Sequence, residues 1–204
     1  MITIVDYGLG NVRAFLNVYK RLNIEARAVS EPDALHAATK LILPGVGHFD
    51  HAMERLQASG MRETLDTLVL DRRLPVLGIC VGMQMLARAS DEGANPGLSW
   101  IDGRVRSFHD WTPATDLPMP HMGWNDVRPA GTDDIFRDLD SESRFYFLHS
   151  YFFECAAHED ILATASYGAD FACAVRHANI FGVQFHPEKS HHFGTRLLQN
   201  FAEL

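Results

Sequence analysis

The 204-residue chain reads as an α/β protein, with a mixed, largely parallel central sheet flanked by helices. Three observations point there. Short apolar runs alternate with helix-patterned segments through the first half, which is how a parallel sheet covered by helices is written. The apolar stretch Pro75-Val76-Leu77 runs into Gly78-Ile79-Cys80-Val81-Gly82 and then into good helix formers, a strand, a sharp turn and a helix. The composition, 47% hydrophobic and 22% charged, is that of a globular protein with a sizeable core.

Taken in order, residues 2–5 are expected as a strand. Residues 12–22 follow as a helix with Val12, Phe15, Leu16 and Tyr19 on one face. Residues 40–43 form a strand, 49–59 and 61–70 helices, and 76–79 the strand before the turn, with residues 83–88 as its helix. The centre changes character: residues 97–108 look like antiparallel strand material, and the Pro-rich stretch 112–120 must be loop. No repeat, low-complexity tract or convincing linker divides the chain, so residues 1–204 are read as one domain.

Several function classes drop out. A formal charge of −8 without a Lys/Arg cluster argues against a nucleic-acid surface. No run of about eighteen apolar residues suggests a membrane span. Three cysteines are too few and odd in number for a disulfide framework, and no signal peptide is recognisable, so a reduced, cytoplasmic setting is expected.

The turn at Cys80 has the layout of a nucleophile elbow, with glycine two places before and two places after. The turn is sharp enough that side chains at the flanking positions would collide, which calls for glycine. A thiol at a helix N-terminus is favoured as thiolate, the reactive form. A buried structural cysteine is the plainer alternative. A base is offered by Phe185-His186-Pro187-Glu188. Pro187 biases His186 towards extended backbone, where residues i and i+2 share a side, so Glu188 can orient the ring of His186. Thiol, imidazole and carboxylate together follow triad logic.

Other segments are less specific. Leu43-Pro44-Gly45-Val46-Gly47 lacks the Gly-Lys-Ser/Thr of a phosphate loop, and Asp6-Tyr7-Gly8-Leu9-Gly10-Asn11 lacks the third glycine of a dinucleotide loop, so no nucleotide cofactor is expected. His191-His192 beside His186 and Glu188 shows no metal-site spacing, and no metal is expected.

These landmarks, with Pro120-His121-Met122-Gly123-Trp124-Asn125, Phe147-Leu148-His149-Ser150-Tyr151 and Gln184 to Ser190, resemble the triad-type (class I) glutamine amidotransferases. More closely, the chain is similar over its whole length to the glutaminase subunits of imidazole glycerol phosphate synthase. The resemblance implies a flavodoxin-like fold, with Cys80, His186 and Glu188 as catalytic residues. It implies oxyanion-hole N–H groups from Val81 and the Val46–Gly47 loop, and glutamine contacts from Gly45, Gln84, His149, Ser150 and Tyr151. It further implies a (β/α)₈-barrel cyclase subunit as heterodimer partner, met at or near Trp124 and Lys189. The products would be glutamate and ammonia, the ammonia being used in histidine biosynthesis. A paralogous branch resembles the chain too, supplying ammonia for amidation of surface-glycan sugars, and a stand-alone cysteine hydrolase of the same fold is a third reading.

Overall fold

A computed structural model describes residues 1–111, 117–140 and 142–204. In chain order the strands are β1 (Ile2–Val5), β2 (Ala26–Val29), β3 (Lys40–Gly45), β4 (Val76–Cys80), β5 (Ala89–Ser90), β6 (Gly103–Ser107), β7 (His121–Asp126), β8 (Arg128–Pro129), β9 (Arg144–His149), β10 (Tyr151–Cys155), β11 (Ile161–Tyr167), β12 (Ala169–His177) and β13 (Ile180–Val183). The helices are α1 (Val12–Arg21), α2 (Phe49–Ala58), α3 (Arg62–Asp66), α4 (Val81–Gln84), α5 (Phe108–Trp111) and α6 (His191–Glu203).

One large sheet carries the order β2-β1-β3-β4-β13-β12-β10-β6-β5. Its first five strands are parallel throughout, while β12 and β10 run antiparallel to their neighbours. The parallel strands are apolar on both faces: every residue of β1, β4 and β13 is buried, as a sheet covered by helices requires. A separate two-stranded ribbon pairs β7 with β9 antiparallel. On β9 the alternation is clean, with Phe145, Phe147 and His149 buried and Leu148 turned outward.

β4 and β13 are adjacent, with Val183 opposite Ile79. Cys80 at the end of one and His186 just past the end of the other are thereby brought to the same edge of the sheet, where open α/β sheets place their sites. About a hundred residues of sequence separation vanish in that one register.

Four expectations need correction. The helix after the elbow is a single turn, not residues 83–88. Its carbonyls are taken from outside: Leu98 N–H donates to Met85 O (2.7 Å), Ser99 N–H to Ala87 O (3.1 Å), and Trp100 N–H to Leu86 O (2.9 Å). The segment 97–101 is spent on this cap, so only 103–107 of the expected central strand material becomes a strand. The helix expected over 61–70 divides into α3 and a wider π-type turn, Thr67–Asp71. β3 and β4 each run further than expected, to Gly45 and Cys80. Of the stretch expected as loop, residues 112–116 lie outside the described residues, and 117–120 carry neither helix nor strand.

No helix among the described residues is long and apolar enough to cross a membrane.

Candidate active site

Cys80 occupies the tip of the turn with φ 56°, ψ −114°, backbone that an L-residue adopts only when its surroundings force it. Three glycines make the turn possible. A Cβ on Gly78 would lie 2.6 Å from the Gly82 carbonyl oxygen, so the two flanks of the turn do pass too closely for a side chain. A Cβ on Gly82 would lie 2.0 Å from the Leu43 carbonyl oxygen, and one on Gly45 2.3 Å from the Gly82 nitrogen. The elbow is thus pressed against β3 as well as folded on itself. Tyr7, just past β1, donates its hydroxyl hydrogen to the Pro44 carbonyl (2.7 Å) and pins the end of β3 in place. Burial, with the negative charge of a nearby Cys80, holds the Tyr7 phenol well above its ordinary pKa, so it stays a donor.

His186 lies opposite, 4% exposed, its Nδ1 2.9 Å from Glu188 Oε1. The pairing matches the sequence reading, but the route differs. Pro187–Lys189 forms a 3₁₀ turn, and that turn, rather than strand alternation, swings Glu188 back onto the ring. Ser190 staples the turn: its hydroxyl donates to the His186 carbonyl (2.6 Å) and accepts from Tyr146 N–H (3.0 Å). The carboxylate leaves the other imidazole nitrogen to face Cys80. Burial alone would lower the His186 pKa, but hydrogen bonds to Cys80 and Glu188 and the charges of both outweigh it, pushing it up to about 9. His186 is therefore an imidazolium at neutral pH, a cation beside the sulfur of the kind that favours thiolate. The helix that Cys80 precedes, α4, is only one turn long.

Between these groups and the β9–β10 link lies a cavity of about 340 Å³. Its lining includes Cys80, Val81, His186, Val46, Gly47, Gln84, His149, Ser150, Tyr151 and Lys189. Nearly all the residues expected at the site are thus gathered around one space. Three expected residues are absent from the lining: Glu188, which lies behind the His186 ring, Trp124, and Gly45, whose place is behind the elbow, where it lets β3 approach. Gly47 has φ +84° with open space around it, a conformation that favours glycine on backbone grounds alone.

Gln84, 2% exposed, donates from Nε2 to the Tyr151 carbonyl (3.2 Å) and to Gln184 Oε1 (3.1 Å). Lys189 lines the cavity and places its ammonium 5.6 Å from the centre of the Tyr146 ring. Trp124, 42% exposed on β7, stands against the same Tyr146 (6.3 Å) and stacks on His191 (5.1 Å between ring centres). Lys189 and Trp124 therefore belong to one surface, which Met122 extends as the most exposed large apolar residue among the described residues.

Glu92 also lines the cavity, and sequence reasoning missed it. It sits in a turn after β5, and its Oε2 accepts the Phe49 N–H at the start of α2 (2.8 Å). No motif marks it; only the three-dimensional path of residues 89–92 brings its carboxylate to the cavity. Among the described residues no group of three or more His, Cys, Asp or Glu is arranged to hold a metal ion.

The glutamine amidotransferase class-I family model matches residues 3–204. A protein from Bdellovibrio bacteriovorus named imidazole glycerol phosphate synthase subunit HisH is 58% identical over the full length of both chains. A Leptospira interrogans protein of the same name is 50% identical, and a Pseudomonas aeruginosa protein named subunit HisH 2 is 46% identical, again with complete coverage of both chains. Among solved structures, a crystal structure described as a glutamine amidotransferase aligns with a TM-score of 0.76 at 21% identity, covering 99% of this chain and 97% of its own. A PurLQS structure from Thermotoga maritima aligns at 0.73 and 18% identity, covering 99% and 97%. These two establish the shared fold. With the family model spanning nearly every residue and relatives matching end to end, the chain is a glutamine amidotransferase and belongs to the class I family.

Proposed function

We propose that this chain hydrolyses glutamine to glutamate and ammonia with Cys80 as nucleophile, and hands the ammonia to a (β/α)₈-barrel cyclase subunit that makes imidazole glycerol phosphate and an aminoimidazole carboxamide ribotide. One arrangement carries the reading: a strained Cys80 facing a buried His186 whose other nitrogen is held by Glu188. Cys80 Sγ adds to the side-chain carboxamide of glutamine. The oxyanion is met by N–H groups of Val81 and of the Val46–Gly47 loop, the kind of donor whose loss costs about 10²–10³ in rate. His186 gives its proton to the departing nitrogen, then takes one from the water that hydrolyses the glutamyl thioester. Glu188 keeps the ring oriented through its contact with Nδ1. For the amino-acid end of glutamine, Glu92 offers the carboxylate to an α-ammonium, while Gln84 and the backbone of 149–151 offer polar contacts.

Ammonia released to bulk water at neutral pH is mostly protonated and no nucleophile, so direct delivery is a chemical need. The exposed Met122–Trp124 surface beside Lys189 supplies a docking face, and the names of the full-length relatives favour the imidazole glycerol phosphate pathway.

The test is ammonia release from glutamine by the chain alone and with a candidate barrel subunit carrying its own ligand. Stimulation by orders of magnitude is expected, since the partner must favour the competent site by differential affinity. Lys189→Ala should blunt the stimulation or weaken assembly more than it alters basal turnover. Full activity without any partner, or release of a reporter from peptide instead, would favour a free-standing hydrolase.

A further inference from the structure

Unused by the chemistry above, the side chains of two buried histidines, His149 of the cavity lining and His121 behind it, face each other across the β7–β9 ribbon. His121 and His149 are register partners, 3% and 6% exposed, with His121 Nδ1 2.9 Å from His149 Nε2. His149 Nδ1 lies 2.7 Å from the Tyr151 carbonyl, and Asn125 Nδ2 lies 3.2 Å from His121 Nε2 and 2.9 Å from the Ser166 carbonyl.

The proton positions follow from the ends of this row. A carbonyl can only accept, so His149 carries hydrogen on Nδ1. In a neutral ring its Nε2 then accepts, which requires the hydrogen of His121 on Nδ1. The remaining His121 Nε2 accepts from Asn125, whose second amide hydrogen goes to Ser166. Every bond is made once and points one way. The surroundings favour neutral rings: His121 is sandwiched between Tyr167 (4.1 Å, 24°) and Phe147 (4.8 Å, 25°), and Phe171 and Phe108 pack on His149 at 5.3 and 5.4 Å. Burial lowers the pKa of His121 to about 4. Burial lowers that of His149 to about 3, with repulsion from His121 and His186 adding to it and the Tyr151 bond opposing it.

The row ends on a carbonyl the site depends on. Tyr151 O also accepts from Gln84 Nε2, whose other hydrogen goes to Gln184 Oε1. That leaves Gln184 Nε2 facing Cys80 Sγ at 3.9 Å.

We propose that His121 is a positioning residue for the glutamine site: by donating Nδ1–H to His149 it fixes the tautomer that holds the Tyr151 carbonyl and, through it, the carboxamide of Gln84. Without that donor, His149 Nε2 is a buried acceptor lacking a partner, and only the Tyr151 carbonyl is left to hold the proton on Nδ1 against the other tautomer. This inference deepens the glutamine reading and rests on it.

Two measurements test it. In ¹⁵N-labelled wild-type protein at pH 7, imidazole nitrogen correlations should show both rings neutral with hydrogen on Nδ1; hydrogen on Nε2, or a charged ring, overturns the proposal. In steady-state glutamine hydrolysis with the partner present, His121→Phe keeps the aromatic sandwich but loses the donor. It should raise KM for glutamine by about tenfold, the size of one neutral hydrogen bond, with a smaller fall in kcat. His121→Asn, which keeps an amide donor near the Nδ1 position, should recover most of that loss. An unchanged KM in His121→Phe, or equal impairment in both variants, overturns the proposal. Should His121→Phe fail to fold, the wild-type spectra decide. Failure of the glutamine reading itself would look different: wild-type protein with no turnover of glutamine, whatever the tautomers.

Discussion

Gly82→Ala isolates how the elbow is built. Gly82 lies within α4 and does not have positive φ, so alanine meets no conformational penalty there, and the effect is one of space. The new Cβ would sit 2.0 Å from the Leu43 carbonyl oxygen, whereas real Cβ contacts essentially never fall under 3.0 Å. At least 3.0 − 2.0 = 1.0 Å of backbone must therefore move. Leu43 belongs to β3, held between β1 and β4, so most of the shift falls on the elbow and carries Cys80 with it. Overpacking of this kind costs about 1–3 kcal/mol, and misplacing a reacting group by about 1 Å costs about 10² in rate. Thermal unfolding and glutaminase turnover of the purified variant measure both: a Tm lower by several degrees and about a hundredfold loss are expected. Gly47→Ala is the stability control, with open space but φ +84°, and should cost about 1 kcal/mol. Wild-type Tm and turnover in Gly82→Ala would refute the close packing of the elbow on β3.

Removing the base by His186→Ala should lower stimulated turnover by at least about 10², and Glu188→Gln by less, since it disturbs orientation and leaves the imidazole in place; near-wild-type rates in His186→Ala would assign the proton transfers elsewhere. The neutral His121–His149 pair makes acid unfolding steeper. As pH falls from about 6.5 towards 4, unfolded chains protonate histidines that the folded chain keeps neutral, so stability present above 6.5 is lost on acidification. Removing one of those sites with His121→Asn should flatten the pH dependence of denaturant stability by about 1.4 kcal/mol per pH unit; identical slopes would mean that the ring is charged in the folded protein.

β1, α1, β3 and α2 were legible in the sequence, because each carries a local apolar period that nothing distant contradicts, whereas the short, partly exposed edge strand β2 was not. The sequence reading failed after the elbow for a non-local reason. Residues 83–88 are good helix formers, yet residues 98–101 claim the carbonyls of Met85, Leu86 and Ala87, and that competitor is invisible in any short window. The Cys80–His186–Glu188 constellation was legible as a set of residue types, though the 3₁₀ turn that delivers Glu188 was not. Glu92 and His121 were not legible as site residues, because one is placed by a chain excursion and the other acts through a neighbour's tautomer.

The most direct test of Cys80 as nucleophile is covalent capture by a diazo-ketone analogue of glutamine, read by mass spectrometry of the digested protein. The three cysteines are free, so all can in principle react. Burial and the nearby Asp160 push the Cys155 thiol up to about 12, and burial raises that of Cys173 further still, leaving both poor nucleophiles at neutral pH. Cys80, by contrast, has His186 hydrogen-bonded beside it as the base that can take its proton. Label on Cys80 alone, slowed by excess glutamine and by His186→Ala, is the expected result; label on Cys155 or Cys173 with Cys80 unmodified would contradict the account.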